Sequence, residues 1–456
     1  MSFLRTPAAT RLLGVLLLSL ATLAHAGGTN RPAEPFPTPL LHSKELTYTV
    51  LLIHPTPPKG DVVADARKLL QSKYKELASA WKPGAPKPEV EVRPVPSEEV
   101  DVASEELMRY FARSLSADER KRLRGAKHAT MLAFHVPFAQ RNESLLSATR
   151  FAHQLAAERE AFLWDDETHE YFSPRSWKES RLDGWTGGVP YMPSHITMHV
   201  YDEDDGEGQR IISLGMTKLG LPDLVVEQVP RSMSTEMGTI VNGIAQLLAE
   251  GLEPDADGTL SVDFTRVKDA RMRKLLESHT TAGAARSTKL RAIEGRRDKG
   301  DPENFLLEIS FPGSGTPHAR QVAAFDALLG KKPDDVMGVP PGDPELEEVT
   351  RKARLRLNEL KPRVEKGLQV PERLLVKAGF RTDDGNSEHM WFEVTGWKKD
   401  RLYGTLANEP VNVSRLRLGS SVDVALTDVD DYLYVRPDGT KEGGESSRIL
   451  MRREGQ

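Results

Sequence analysis

Along the first folded stretch, residues 45–250, the spacing of apolar positions switches between the period of a strand and that of a helix. Leu46 to Ile53 is a β-rich run stopped by Pro55, Pro57 and Pro58. Residues 61–80 then place Val62, Val63, Ala66, Leu69, Leu70, Tyr74 and Leu77 on one helical face, which Pro83, Pro86 and Pro88 bring to an end. Val90 to Val92 alternates as a short strand, residues 103–114 predict a helix carrying Leu107, Tyr110 and Phe111, and residues 129–136 predict a strand closed by Pro137. Asn142 can cap a helix that runs to about residue 160. Strand patterns follow in succession at 161–164, 169–172, 195–201, 210–217 and 224–229. A helix opened by Ser232 or Ser234 then runs to Leu248, with Gly251 marking its end. Strands alternating with helices, then strands in a row, predict an α+β sheet with helices on one face.

Residues 259–330 repeat the mixture on a smaller scale. A strand at Leu260 to Phe264 precedes a basic helix at 266–277, a polar stretch, a strand at Phe305 to Phe311 and a helix from Ala319 to Leu329. This segment reads either as a small α/β module or as a continuation of the body. Prolines and glycines crowd residues 331–345, the clearest linker of the chain, and a charged helix at 346–361 follows, stopped by Pro362. Between 371 and 436 come five short strands, at Leu374 to Phe380, Met390 to Val394, Arg401 to Ala407, Val422 to Leu426 and Tyr432 to Arg436. Five strands with turn residues at short intervals predict a small SH3-like β-barrel or rolled sheet. Residues 437–456 read as a frayed polar tail.

The N-terminus changes the picture by adding an address. Arg5 and Arg11 form a positive region, Leu12 to Leu23 a short apolar run, and Ala24-His25-Ala26 a small-x-small cleavage pattern, so residues 1–26 predict a signal peptide cleaved near Ala26. The apolar run is about a dozen residues, short of the roughly 20 that span a bilayer. No transmembrane segment is expected in the mature chain. Residues 27–44 are Pro-, Gly- and polar-rich, an extended spacer. The chain is therefore expected to be exported, periplasmic or secreted.

Charge and composition mostly exclude. The chain has 62 Lys+Arg against 67 Asp+Glu and no basic stripe, which argues against nucleic acid as a partner. It has no Cys, so disulfides, thiolate metal sites and cysteine nucleophiles are ruled out, and an exported chain must then rely on its cores. His195 and His199 have the i, i+4 spacing that chelates a metal on a helix, but Ile196, Thr197, Met198, Val200 and Tyr201 are strand formers. Four strand residues span about 13 Å, too far for one ion, and a histidine pair on a sheet face is the expected arrangement. The acidic runs at 202–206 and 255–258 fail the EF-hand template and read as solvated turns. The chain contains no G-x-S-x-G or H-E-x-x-H pattern. No metal and no cofactor is expected.

The C-terminal strands carry a family resemblance. Residues 388–394 (EHMWFEV), 404–410 (GTLANEP), Leu418-Gly419 through Val422, and Asp428-Val429-Asp430-Asp431-Tyr432 resemble, with their spacing, a bacterial family catalogued as domain of unknown function 2314. Residues 160–250 more loosely resemble the domain of unknown function 4261 family, through Ser213-Leu214-Gly215 and Gly220-Leu221-Pro222. Neither resemblance implies an activity or transfers a catalytic residue. In the C-terminal block His389, Trp391 and Glu393 share one strand face and Met390, Phe392 and Val394 the other, which is the natural core. Trp391 then either covers an open end of the barrel or lines a groove for an extended peptide. Candidate binding residues are Glu388, His389, Trp391, Asn408 and Asp431: Trp391 for stacking, His389 and Asn408 for hydrogen bonds, the carboxylates for a cationic or amide group. The leading expectation is a non-catalytic binding protein with a protein or peptide partner in the cell envelope. The alternative is a periplasmic hydrolase with a site near His135, His195 and His199.

Overall fold

The computed structural model describes residues 45–454 apart from 78–86, 186, 203–207, 231–232, 282, 299–300, 331–342, 369–371, 384, 409, 411–412, 418 and 437–439. The expected signal peptide at 1–26, the spacer at 27–44 and all but the last three residues of the 331–345 linker lie outside the described residues.

The first layer is a five-stranded antiparallel sheet. Its elements are β1 (Glu45–His54), α1 (Val62–Lys73), β2 (Glu89–Val95), α2 (Glu105–Phe111), α3 (Ala117–Arg124), β3 (His128–Pro137), α4 (Arg141–Glu158), β4 (Phe162–Asp165) and β5 (Glu170–Phe172), with strand order β2-β3-β1-β4-β5. The central position of β1 explains its composition. Tyr48, Val50 and Leu52 face a core with Leu69 of α1 and Phe151 of α4, while Leu51 and Ile53 face a second core with Met108 of α2 and Leu123 of α3. A strand apolar on both alternations is buried on both faces, so helices cover this sheet on two sides rather than the expected one. The short α3 has a single buried residue, Leu123, and so shows little periodicity; its signal is the capping box of Ser116 and Glu119.

A short helix α5 (Pro174–Trp177) leads through a π turn at Lys178–Leu182 to the second sheet. This sheet contains β6 (Thr197–Asp202), β7 (Gln209–Leu214), β8 (Asp223–Val229), β9 (Thr259–Asp263), β10 (Ser287–Glu294) and β11 (Leu306–Ser310), in the order β6-β7-β8-β11-β10-β9. Helices α6 (Ser234–Ala249), α7 (Ala270–His279) and α8 (Pro317–Leu329) connect or follow them. The parallel pair β8–β11 joins the two halves, with Leu306 opposite Asp223. The 259–330 segment is thus half of one sheet, and Leu260, Phe264 and Phe325 pack in the same core as Tyr48 and Phe151. The polar stretch of the sequence contains β10, where only Leu290, Ala292 and Ile293 are buried.

The third layer is built from α9 (Pro344–Glu365), β12 (Arg373–Arg381), β13 (Ser387–Lys398), β14 (Arg401–Leu406), β15 (Ser421–Ala425), β16 (Val429–Val435), β17 (Lys441–Gly443) and α10 (Glu445–Glu454). Its strands form an open antiparallel sheet, β15-β14-β13-β12-β16-β17, rather than a closed barrel. Leu357, Leu360 and Val364 of α9 pack with Val376, Phe392, Leu402 and Val429 in a core distinct from that of the first two sheets. The helix therefore runs past Pro362 to Glu365. A proline inside a helix costs about 3 kcal/mol, and burial of Leu360 and Val364, at about 1.5–3 kcal/mol each, offsets it. Gly404 lets β14 approach β13 closely, since a Cβ there would lie 2.0 Å from the Glu393 carbonyl oxygen. The expected frayed tail at 437–456 is instead structured over Lys441–Gly443 and Glu445–Glu454. Lys441 pairs with Val435 in a hairpin, and Glu442 binds the Tyr432 hydroxyl and Arg356 of α9, the last a long-range partner that no local pattern announces. Among the described residues no helix is long and apolar enough to cross a membrane.

Candidate functional site

The outward face of the third sheet carries most of the candidate residues. Along β13 the side chains alternate strictly: Met390, Phe392 and Val394 are buried, while Trp391 and Glu393 are half-buried and His389 is exposed. Glu388 has the parity of Met390 and is buried on the inward side. The sheet itself separates it from His389 and Trp391.

Strand register assembles the rest. Trp391 on β13 lies opposite Lys377 on β12, which lies opposite Asp431 on β16. The Lys377 Nζ sits 6.0 Å from the centre of the Trp391 ring, within reach of a cation–π attraction. Asp431 is buried and accepts from the backbone N–H groups of Ser446 and Tyr432, each at 2.8 Å. Its carboxylate therefore anchors the start of α10, where a negative charge complements the helix dipole. Burial pushes the Asp431 carboxyl above its ordinary value, against the opposing Ser446 and Tyr432 hydrogen bonds.

Neighbouring contacts hold the face in shape. His389 Nδ1 and Asp430 Oδ2 are 2.6 Å apart. The imidazole lies over Gly379, where an added Cβ would come 3.4 Å from His389 Cε1. A bulge between Lys377 and Ala378 leaves Asp430 as the extra residue of β16, which brings it to the same side as Asp431. Asn408 Oδ1 accepts from the Trp391 N–H at 2.6 Å, while the Trp391 carbonyl accepts from Ala407 N–H at 2.8 Å. Asn408 thus pins the backbone beneath the tryptophan. The structure places Trp391 and Asp431 on either side of Lys377, with Asn408 on the Trp391 N–H and His389 on Asp430. Sequence reasoning missed Lys377, Asp430 and the bidentate Arg373–Glu393 pair, at 3.0 and 2.9 Å. The only local hint was charge at every fourth position of β12, at Arg373, Lys377 and Arg381.

The three histidines of the hydrolase alternative sit on different elements. His135 is on β3 beside the Thr47 hydroxyl at 3.2 Å, His199 is on β6, and His195 ends a tight turn before β6. His195 and His199 do not share a sheet face as expected, because the strand begins only at Thr197. Burial pushes the His199 imidazole down to about 4 and lowers His135 as well. His195 is sealed inside the protein, its Nε2 3.1 Å from the Arg181 carbonyl oxygen. Burial first, then the charges of Arg181 and Lys218, hold it far below its usual range. Among the described residues no group of three or more His, Asp and Glu side chains is arranged to hold a metal ion.

His195 borders a buried ionic hub between the first two sheets. Asp165, at the end of β4, accepts from Lys218 Nζ at 2.6 Å and from Arg181 Nη2 at 3.0 Å. Lys218 comes from the turn after β7, Arg181 from the π turn. Arg181 also donates to Thr168 at 3.0 Å and Glu170 at 3.1 Å, and to the Ser194 carbonyl. Burial works to raise the Asp165 carboxyl, but Lys218 and Arg181 overcome it and hold the group down at about 2.

Next to the hub, Glu167 accepts from the Thr217 hydroxyl at 2.6 Å. Burial pushes it up to about 7, opposed by Thr217 and reinforced by Asp166 and Asp165. A carboxyl raised in the folded state contributes stability that is fully present below its unfolded value of 4.5 and is lost as pH climbs through about 7. Replacing Glu167 with Gln is expected to remove about 1–3 kcal/mol of that loss. Urea midpoints measured from pH 4 to 8 check this: the parent should weaken across the interval relative to E167Q, and parallel curves would contradict the assignment.

Residues 343–454 match the model of a protein family described as "Uncharacterized protein conserved in bacteria (DUF2314)". No curated protein and no solved structure matches the chain. The family match begins just before α9 and ends with α10, so it takes in the charged helix and the C-terminal helix as well as all six strands of the third sheet. The C-terminal quarter of this protein, which has its own core, is the part that matches that bacterial family.

Proposed function

We propose that this protein is an exported, non-catalytic binding protein, and that the outward face of its C-terminal sheet takes a protein or peptide partner in the cell envelope. Export rests on the pattern of residues 1–26. One observation supports the binding reading above the others: Trp391 and the His389–Asp430 pair stand on the solvent-facing side of β13, while the core of the domain lies on the opposite side. Tyr403 of β14, 40% exposed, extends this face. An aromatic surface flanked by titratable and charged groups suits an extended segment that offers apolar side chains and backbone amides.

The test uses the full chain in its native cell. A photo-crosslinking residue in place of Tyr403 should yield adducts of defined mass, and His389→Ala combined with Trp391→Ala should abolish them. The same adducts at undiminished yield in the double variant would overturn the reading. A circular-dichroism melt of the double variant checks that the domain remains folded; His389 and Trp391 lie outside the core, so only a small shift is expected.

A further inference from the structure

The interface between the first two sheets encloses a cavity bounded by Tyr48, Phe134, Thr149, Asp165, Arg181 and Lys218, with room for about one water molecule. Most polar groups of its wall are satisfied within the protein. Thr149 donates to the Leu145 carbonyl, the Trp177 indole N–H donates to the Thr149 carbonyl, and Asp165 is held by Lys218 and Arg181. Two are not: the Tyr48 hydroxyl, on a residue only 3% exposed, and the Nε–H of Arg181. Both are buried, and neither has a hydrogen-bond partner among the described residues. Leaving a buried donor unsatisfied costs about 1–3 kcal/mol.

We infer that this cavity is a binding site for one neutral, water-sized molecule, an internal water that accepts from Arg181 Nε–H and hydrogen-bonds the Tyr48 hydroxyl. The shape of the site limits the ligand to that size. Its charge excludes an ion: the cations Arg181 and Lys218 are already matched by Asp165 and Glu170, so an added chloride or ammonium would be an uncompensated buried charge. An apolar occupant would leave both donors unmet. The water would join Tyr48 of β1 to Arg181 of the π turn.

A high-resolution crystal structure of the parent protein, grown with bromide in place of chloride, tests the site directly. One ordered oxygen within hydrogen-bond distance of both Tyr48 Oη and Arg181 Nε is the expected result. Anomalous signal from bromide in the cavity, or an empty cavity, would overturn the inference. Oxygen-17 relaxation dispersion in solution provides a second reading, with one long-lived water fewer in Tyr48→Phe than in the parent. An unchanged count in a folded Y48F protein would count against the site, and the parent structure decides the matter if that variant does not fold.

Discussion

Replacing Lys218 with Met will lower the stability of the body built from the first two sheets by about 3–5 kcal/mol, the usual result of removing one partner from a buried ion pair. Lys218 and Asp165 are each nearly inaccessible, 2.6 Å apart, and come from residues 53 positions apart in the chain. Without the lysine, Asp165 keeps Arg181 as its cationic partner, one it already shares with Glu170. The penalty is the uncompensated carboxylate, so the double change Lys218→Met with Asp165→Asn should recover part of the loss. Chemical denaturation of the four proteins of this cycle measures the coupling; additive effects would show that the two groups do not act as a pair. The pH dependence has a defined sign. Asp165 is held below its unfolded value of 3.8, so its share of stability is present above about pH 4 and is lost as pH falls toward 2. That is opposite to Glu167, two residues along the same turn.

The second large effect is expected at Arg210 of β7, which is completely buried. Its guanidinium meets Glu227 of β8 at 3.0 Å, Asp298 at 3.0 Å and Asp301 at 2.7 Å, and donates to the Arg296 carbonyl at 2.7 Å and the Tyr201 hydroxyl at 2.5 Å. One side chain thus fastens the connection between β10 and β11 to the sheet. In Arg210→Met three carboxylates lose their common cation, and a loss of about 3–5 kcal/mol is expected. Arg210→Lys should rescue little, since an ammonium cannot reproduce the planar fork of donors. Amide hydrogen exchange should show protection falling first around Asp298 and Asp301. Loss spread evenly over the second sheet, with those residues unchanged, would contradict this role.

How far the residues alone revealed these features depends on the range of each interaction. The alternation of β13 was readable because a strand's two faces are set by neighbours two residues apart. It placed Met390, Phe392 and Val394 inward and Trp391 outward, and applied one residue earlier it also places Glu388 inward. The extension of α9 past Pro362 was not readable, because a local helix breaker was overruled by burial against a distant sheet. The helix α10 escaped notice for a related reason: its start is fastened by Asp431, 15 residues earlier in the chain.

The amino-acid sequence by itself determined the elements whose apolar period is complete within a few turns or one strand: β1, α4, β3, α6 and the five longer strands of the C-terminal sheet. It also settled the absence of cysteine chemistry. Only the tertiary structure decided that β11 lies beside β8 and so merges two segments into one sheet, that Lys377 sits beneath Trp391, and that Asp430 reaches His389. It also decided that Asp165, Arg181 and Lys218 converge out of water. The reason is physical: periodicity reports which side of an element is buried, but a register or a buried charge pair exists only once chain closure has brought distant residues within a few ångströms.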